Sequence, residues 1–311
     1  MRDHQDAERV LVTGSSGFLG RRLVPLLVEA GFDVSCVSRR ASGQEPHWQS
    51  VDLLERDGID EVLSNWEPTH LVHLAWSTEH QAFWHDPANL DWVAATLHLL
   101  RRFHHHGGQR AVLTGSCAEY DWTHPGPYTE LDAGPAPTTL YGAAKLATGR
   151  AAVAYSDAAD DLSVVWARLF NPYGPGEDSR RLVPQLIECA RRHSQLELRS
   201  PDDEVDLMYV DDVAAGLAAI LQSPLAGEVN VGSGMPHRIA DVAELVAQIA
   251  RLEPIASRGP DASSATRSAN SVIADVTRLN TVAGLGPTRS LAEGLLEMWD
   301  ATAARIKETV T

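Results

Sequence analysis

A tyrosine and a lysine occupy positions i and i+4 in the segment Tyr141–Lys145 (YGAAK). This spacing places the phenol and the ammonium on one face of a helix. A free tyrosine with a pKa of about 10 is a poor base at neutral pH, but a neighbouring cation favours the phenolate. Ser116, at the end of an upstream predicted strand, could position a substrate oxygen for the tyrosine. Because a tyrosine–lysine pair alone is common on helix surfaces, the serine is what makes Ser116, Tyr141 and Lys145 the predicted catalytic residues.

The second motif is the glycine-rich segment Thr13–Gly20 (TGSSGFLG). It follows the aliphatic run Val10–Val12 and precedes a helical pattern of leucines that ends at Gly31. In a strand–turn–helix unit, such a turn lets backbone N–H groups and the positive end of the helix approach a pyrophosphate. Nicotinamide bound in its oxidised form would add a second positive charge that favours the phenolate. The predicted dinucleotide-binding residues of this turn are Gly14, Ser16, Gly17, Phe18, Leu19 and Gly20.

The end of the second predicted strand distinguishes NADP from NAD. An NAD site usually carries Asp or Glu there, which binds the ribose hydroxyls. This chain has Ser38, Arg39 and Arg40 instead. One hydroxyl and two guanidinium groups suit a 2′-phosphate by charge and geometry, which favours NADP, although a solvated loop is an alternative. Asp52, after the next short strand, is a candidate for the adenine edge or for a local cap.

Composition excludes several classes of protein. Of the 311 residues, 44% are hydrophobic and 22% charged, which is typical of a globular chain rather than a disordered, collagen-like or coiled-coil one. The formal net charge of −16 argues against nucleic acid or an anionic membrane as the main partner. The three cysteines lack the spacing of a disulfide framework or a zinc site, and the run His104–His106 points in different directions, so we expect no metal. With no apolar leader or membrane span, we expect a cytoplasmic protein.

Strand-like apolar runs alternate with helix-length segments through the first half of the chain. This alternation predicts a Rossmann-type α/β domain over residues 1–170, with a doubly wound parallel sheet. A turn cluster at Asn171–Gly176 marks a change to shorter elements. We therefore predict a smaller α/β substrate-binding lobe over 171–311, with residues 205–233 returning to the first domain. The strand candidates are Val10–Val12, Val34–Val37, Leu71–Leu74, Ala111–Leu113 and Val164–Leu169.

A series of motifs, in this order along nearly the whole chain, resembles the extended short-chain dehydrogenase/reductase family. That family contains NAD(P)-dependent nucleotide-sugar epimerases, dehydratases and ketoreductases. The motifs are TGSSGFLG, HLAW (His73–Trp76), TGSCAEY (Thr114–Tyr120), YGAAK, ARLFNPYGP (Ala167–Pro175), YVDDVA (Tyr209–Ala214), GEVNVGSG (Gly227–Gly234) and SLAEGL (Ser290–Leu295).

The resemblance implies roles for individual residues. Lys145 would bind the nicotinamide ribose as well as assist the tyrosine, and Arg168 would have a structural part. The helices near 88–106 and 141–158 resemble those that pair two subunits through a four-helix bundle, so a homodimer is expected. The implied cofactor set adds Asp52, Leu53, Leu74, Ala75, Trp76, Tyr141 and Lys145, and the implied substrate set is Trp76, Ser116, Cys117, Asn171 and Arg181.

Two departures from the family pattern bear on the reaction. Dehydratases of the family carry an Asp-Glu pair after the catalytic hydroxyl, whereas Cys117 and Ala118 follow here, which disfavours water elimination. The family arginine that clamps the nucleotide phosphates is replaced by Val205. Arg180, Arg181 or Arg258 could substitute for it, or the substrate is not an ordinary nucleoside diphosphate sugar.

The sequence thus predicts NADP-dependent reduction of a nucleotide-linked keto-sugar, a 4-keto-6-deoxyhexose, with Tyr141 as proton donor. The alternative is a nucleotide-sugar 4-epimerase that uses the same residues with NAD, because epimerisation runs the same hydride step out and back. A cofactor-sensing protein without catalysis is a third hypothesis, and the intact set of Ser116, Tyr141 and Lys145 argues against it.

Overall fold

The computed structural model describes residues 8–39, 47–55, 58–77, 79, 82–131, 136–259, 270–281 and 288–310. Its strands in chain order are β1 (Arg9–Thr13), β2 (Asp33–Ser38), β3 (His47–Ser50), β4 (His70–His73), β5 (Arg110–Ser116), β6 (Ser163–Leu169), β7 (Pro172–Tyr173), β8 (Leu196–Leu198), β9 (Glu204–Asp206), β10 (Met208–Tyr209), β11 (Gly227–Val231), β12 (Pro236–Arg238), β13 (Ala256–Arg258) and β14 (Ser271–Val272). Its α-helices are α1 (Gly20–Glu29), α2 (Gly58–Trp66), α3 (Ala88–His105), α4 (Leu140–Asp157), α5 (Leu182–Arg191), α6 (Val210–Gln222), α7 (Ile239–Ala250), α8 (Thr277–Asn280) and α9 (Leu291–Val310).

Seven parallel strands form the central sheet in the order β11-β6-β5-β4-β1-β2-β3. Its inner strands are continuous apolar runs because helices cover both faces. On one face α1 and α6 pack over the sheet, with Leu27 and Leu217 fully buried. On the other face α3 contributes Leu99 and Phe103 to a second cluster. This doubly wound Rossmann-type sheet confirms the fold class predicted from the sequence.

The second half of the chain builds a smaller lobe around α5, α7 and α9. Its apolar cluster contains Leu186, Val246 and Leu295, all nearly inaccessible to solvent. Asp206, at the end of β9, connects two other segments of the chain. Its carboxylate accepts hydrogen bonds from the backbone N–H groups of Ser233, Gly234 and Ala274. The chain then returns to the central sheet, where β11 pairs with β6. The predicted domain boundary at residue 170 stays a prediction.

The carboxyl ends of β1, β4, β5 and β6 meet at one edge of the sheet, facing the small lobe. In parallel α/β sheets this edge, at the point where the strand order reverses, is where ligands bind. Among the described helices, none is both long and apolar enough to cross a membrane.

Candidate functional site

A cavity of about 790 Å³ lies at this edge, between the sheet and the small lobe. Its size is typical of a small-molecule site. Every predicted site residue within the described ranges lines it, and Arg40 lies outside those ranges. From the cofactor set these are Gly14, Ser16, Gly17, Phe18, Leu19, Gly20, Ser38, Arg39, Asp52, Leu53, Leu74, Ala75, Trp76, Tyr141 and Lys145, and from the substrate set Ser116, Cys117, Asn171 and Arg181.

The glycine turn fits a dinucleotide by its packing. Gly14 has a φ of +68°, and a Cβ there would lie 2.8 Å from the backbone nitrogen of Ala75. A Cβ on Gly20 would collide with the carbonyl oxygen of Gly14. Glycine is therefore required for the turn to lie against the end of β4 and the first turn of α1. The positive end of α1 then faces the cavity, as a pyrophosphate requires.

Ser38 ends β2 and, together with the next residue, Arg39, lines the cavity. Arg39 is exposed, so its guanidinium is accessible to an anionic ligand. Asp52 lines the cavity and also accepts a hydrogen bond of 3.0 Å from the backbone N–H of Leu54. The local cap predicted as one alternative for Asp52 is therefore present, and its contact with an adenine edge stays a prediction.

The start of α4 brings Tyr141 to Ser116. Thr139 caps the helix, because its hydroxyl accepts a hydrogen bond from the N–H of Gly142 at 3.1 Å. A Cβ on Gly142 would collide with the carbonyl oxygen of Ala118, so the glycine lets α4 touch the turn that follows β5. The side chains of Ser116 and Tyr141 both line the cavity, and Ser116 lies near enough to lower the pKa of the phenol.

Lys145 lies one helical turn further along α4 and is buried. Its ammonium donates a hydrogen bond of 2.8 Å to the carbonyl oxygen of Thr114 and lies 3.9 Å from the centre of a ring of Trp76. The indole N–H of Trp76 donates to Asn89 at 2.9 Å, which fixes the ring. Burial lowers the pKa of Lys145 to about 7, partly offset by the carboxylate of Glu119.

Burial raises the pKa of the Tyr141 phenol, and the side chain of Ser116 only partly offsets this effect. The lysine is 6.0 Å from the centre of the phenol ring. The net shift of the Tyr141 pKa is therefore opposite to the lowering expected from the sequence, because desolvation dominates, and the separate effect of Lys145 stays a prediction. The phenol is protonated at neutral pH, which is the state of a proton donor.

Glu119 fixes the turn that carries Ser116, and the sequence interpretation missed it. Its buried carboxylate accepts hydrogen bonds from the N–H of Ser116 at 2.8 Å and from Arg168 at 2.7 Å, and both of its oxygens accept from Trp166. Arg168 is itself buried, in agreement with the structural part that the resemblance implied. The spacing of Ser116 and Glu119 is that of a capping box, a signal that could have identified the glutamate.

Four aromatic side chains line the cavity beside Tyr141, and we call them the aromatic wall: Trp76, Phe83, Trp84 and Trp122. The ring of Phe83 meets the phenol at 4.8 Å and 87°, and that of Trp84 at 5.8 Å and 90°. Trp122 contacts Trp84 at 6.0 Å. They come from the separate segments after β4 and β5, so no local spacing in the sequence identifies them as one surface.

Of the three arginines that could replace the family phosphate clamp, Arg181 lines the cavity together with Val205. Its guanidinium lies 5.6 Å from the centre of the Phe83 ring. Arg180 pairs with Asp178 at 2.7 Å, and the exposed Arg258 pairs with Asp202 at 2.7 Å. Arg181 is therefore the best-placed of the three to meet an anionic ligand.

The sequence profile of a family described as the NAD dependent epimerase/dehydratase family matches residues 10–232. The chain belongs to this family. The match runs from β1 through β11 and so includes the glycine turn, Ser116, Tyr141 and Lys145.

The proteins to which this chain is similar include enzymes that catalyse different reactions. It is 28% identical over 270 residues to UDP-glucose 4-epimerase of Corynebacterium glutamicum, covering 78% of this chain and 80% of that one. It is 29% identical over 262 residues to GDP-6-deoxy-D-mannose reductase of Pseudomonas aeruginosa, covering 79% and 81%. Its fold is similar to that of UDP-glucose 4-epimerase of Thermus thermophilus in complex with NAD, with a TM-score of 0.81, 26% identity and coverage of 95% and 99%.

Three further residues considered in the sequence analysis are held by contacts within the fold or are buried: Asn171, Cys117 and His104. The side-chain amide of Asn171 donates to the carbonyl oxygen of Asp206 at 3.0 Å, so it joins β7 to the small lobe. Burial raises the pKa of the Cys117 thiol to about 12, which keeps it protonated and unreactive. His104 contacts Tyr155 and Asp161, and the described residues contain no cluster of metal-ligating side chains.

Proposed function

We propose that this protein is an NADP-dependent reductase of a nucleotide-linked keto-sugar, with a 4-keto-6-deoxyhexose as substrate. One observation carries the proposal. Ser116 and Tyr141 line the same cavity as the glycine turn, so a carbonyl oxygen between these two hydroxyl groups would lie beside a dinucleotide bound at the turn.

The cofactor, when bound, supplies a hydride to the carbonyl carbon. The chain's own residues act on the carbonyl oxygen. The Ser116 hydroxyl donates a hydrogen bond to it, and Tyr141 gives it a proton as negative charge develops. The ammonium of Lys145 stabilises the phenolate that remains, in a site where burial strengthens the attraction. The backbone of the glycine turn would hold the pyrophosphate of the cofactor, and Arg39 would hold its 2′-phosphate.

Two observations favour net reduction over epimerisation. Ser38 and Arg39 line the cavity at the end of β2, where an NAD site usually carries a carboxylate. The similarity to GDP-6-deoxy-D-mannose reductase of Pseudomonas aeruginosa is in line with net reduction. The second candidate, a 4-epimerase, is supported by its similarity to the epimerases of C. glutamicum and T. thermophilus and by its use of the same residues.

Absorbance at about 340 nm distinguishes the two reactions, because reduced nicotinamide absorbs there. A reductase oxidises one NADPH for each 4-keto-6-deoxy sugar nucleotide added. An epimerase interconverts two 4-hydroxy sugar nucleotides without a net change in absorbance. Interconversion without net consumption of NADPH would refute the reductase proposal.

We also propose a cytoplasmic homodimer in which α3 and α4 pair with their copies. The two helices pack together within the chain, and Leu90 at the start of α3 is 59% exposed. Light scattering of the wild type and of Leu90→Glu tests the dimer, which the charged side chain should weaken.

A further inference from the structure

The cavity contains a glutamate that the proposed reaction does not use. Glu177 lines the cavity, and its oxygen Oε2 is buried without a hydrogen-bond partner among the described residues. Such atoms are few in folded proteins, because a buried carboxyl oxygen without a partner has lost the hydrogen bonds that it makes in water. Burial also raises the pKa of Glu177 to about 8, so the carboxyl is mostly protonated at neutral pH. A protonated carboxyl can both donate and accept a hydrogen bond.

Two consecutive turns after β7 place Glu177 and Arg181 in the cavity lining. The first is closed by a hydrogen bond of 3.1 Å from the N–H of Glu177 to the carbonyl oxygen of Gly174. Arg22 of α1 fixes this turn, since its guanidinium donates to a carbonyl oxygen within it at 3.3 Å. The second turn follows directly and ends at Arg181. The backbone therefore determines where the carboxyl and the guanidinium meet the cavity.

Arg181 connects this part of the cavity to Tyr141. Its guanidinium lies 5.6 Å from the centre of the Phe83 ring, and the ring of Tyr141 lies 4.8 Å from the same ring, centre to centre. Burial raises the pKa values of Tyr141 and Glu177, and the charge of Arg181 acts against this rise at both groups. A sugar nucleotide with its carbonyl oxygen at Tyr141 would therefore bring its diphosphate toward Arg181, and the groups beside that diphosphate toward Glu177.

We propose that Glu177 is a specificity-determining residue whose carboxyl binds a hydroxyl group of the sugar nucleotide close to the diphosphate. Two hydroxyl groups have this position, the one on C2 of the sugar and the one on C3′ of the ribose. The torsion that turns a glutamate carboxyl is broad, so either oxygen can meet the ligand. This inference rests on the proposed function, because it assumes that a sugar nucleotide binds with its diphosphate at Arg181.

Ligands that differ by one hydroxyl group test the proposal. The sugar pair is UDP-glucose and UDP-2-deoxyglucose, and the ribose pair is UDP and 3′-deoxy-UDP, with the guanosine counterparts as a second set. Calorimetry on the protein saturated with NADPH gives the dissociation constants without turnover, because a reduced cofactor cannot oxidise a hydroxy sugar. For one of the two pairs we expect the ligand with the hydroxyl to bind about 5- to 50-fold more tightly, the range that one buried hydrogen bond gives.

Variants of the two residues connect this preference to the carboxyl. Glu177→Leu should weaken only the ligand with the hydroxyl and so reduce the affinity ratio to within about 2-fold, whereas Glu177→Gln, which keeps a donor and an acceptor, should retain the ratio. Glu177→Met provides a second test if Glu177→Leu does not fold. Arg181→Gln should weaken both members of each pair alike, because the diphosphate is common to them.

The control is Glu188→Leu. Glu188 is an exposed glutamate of α5 that pairs with Arg192 and is outside the cavity lining. Its substitution makes the same chemical change as Glu177→Leu at a distance from the ligand, so the affinity ratios should equal those of the wild type.

The outcomes separate this inference from the proposed function. Equal affinities within both pairs, or a ratio that Glu177→Leu and Glu177→Met leave unchanged, overturn the role of Glu177 even if a keto-sugar nucleotide oxidises NADPH. A loss of affinity for NADPH with unchanged ratios would place the carboxyl at the cofactor and also overturn it. If none of these nucleotides binds, both proposals fail. If the ratio depends on Glu177 but no keto-sugar nucleotide oxidises NADPH, the reductase proposal fails and the assignment of Glu177 stands.

Discussion

Lys145 is predicted to titrate near neutral pH, and Trp76 is predicted to keep it charged there. Burial lowers the pKa of this lysine to about 7, while the indole face 3.9 Å from its ammonium favours the charged form. A cation–π contact contributes about 0.5 to 2 kcal/mol, depending on desolvation. Since one pKa unit corresponds to about 1.4 kcal/mol, Trp76→Leu should lower the pKa of Lys145 by about 0.4 to 1.5 units.

The composition of the chain makes this measurement direct. It contains two lysines, Lys145 and Lys307. Protein labelled with 13C at the lysine ε-carbon therefore gives two titrating NMR signals, and Lys307→Arg leaves the one from Lys145. Three other titratable groups lie near this lysine: the Glu119 carboxylate, the His73 imidazole and the Tyr141 phenol. Burial and Lys145 lower the pKa of His73 to about 3, so the imidazole stays neutral throughout the titration.

Three results are informative. A wild-type pKa near 7 that falls in Trp76→Leu, with Trp76→Phe in between, supports the reasoning. A wild-type pKa near the ordinary value of about 10.4 would show that burial does not control the lysine. A rise in Trp76→Leu would refute the role of the indole, because water admitted by the smaller side chain would then stabilise the ammonium better than the ring does. Trp299→Leu is the control and should leave the pKa unchanged.

The remaining predictions concern ligands and stability. Arg39→Gln should raise KM for NADPH about 10- to 100-fold, because it removes a charge-assisted hydrogen bond to the 2′-phosphate, and should leave KM for NADH within about 2-fold. Steady-state kinetics with both cofactors measures the two KM values. Equal changes in both would contradict the role of Arg39. Arg181→Gln should raise KM for the sugar nucleotide about 10-fold, while Arg180→Gln, which removes an exposed arginine paired with Asp178, should not. Burial raises the pKa of Glu177 from 4.5 to about 8. Between these two pH values the folded chain keeps a proton that the unfolded chain has lost, so the stability of the fold decreases as the pH rises from about 4.5 to about 8. Glu177→Gln removes this penalty, which is about 2 kcal/mol after allowance for partial exposure, so it should raise Tm by about 4 °C at pH 9 and leave Tm nearly unchanged at pH 4. Equal shifts of Tm at both pH values would show that the titration of Glu177 is not the cause.

The sequence predicted β1, β2, β4, β5 and β6 of the central sheet because each contains a run rich in apolar residues, whereas β3 and β11 were not among the five strand candidates. β1 and its glycine turn are encoded locally, and so is the start of α4 at Thr139. The short strands of the small lobe, such as β9 and β14, contain two or three residues and form through pairing between distant segments, so no local pattern predicts them.

The sequence predicted the site residues whose residue type alone suggests their chemistry. It missed the properties that depend on contacts between distant segments. The cavity contains Ser116, Tyr141 and Lys145 together, as expected from the motifs. The effect of burial on the pKa of Tyr141 could not be read from the sequence, because it depends on how closely Phe83 and its neighbours cover the phenol. The pair of Glu119 and Arg168 joins the turn after β5 to β6, a contact that the capping-box spacing indicates only in part.

The most direct test of the account is a single-turnover measurement on Tyr141→Phe. The enzyme is saturated with NADPH and mixed with a 4-keto-6-deoxy sugar nucleotide, and the loss of absorbance at about 340 nm is followed. Because Tyr141 donates the proton to the carbonyl oxygen, the variant saturated with NADPH should react about 10²- to 10⁴-fold more slowly than the wild type. A variant that keeps more than about a tenth of the wild-type rate would contradict the central claim.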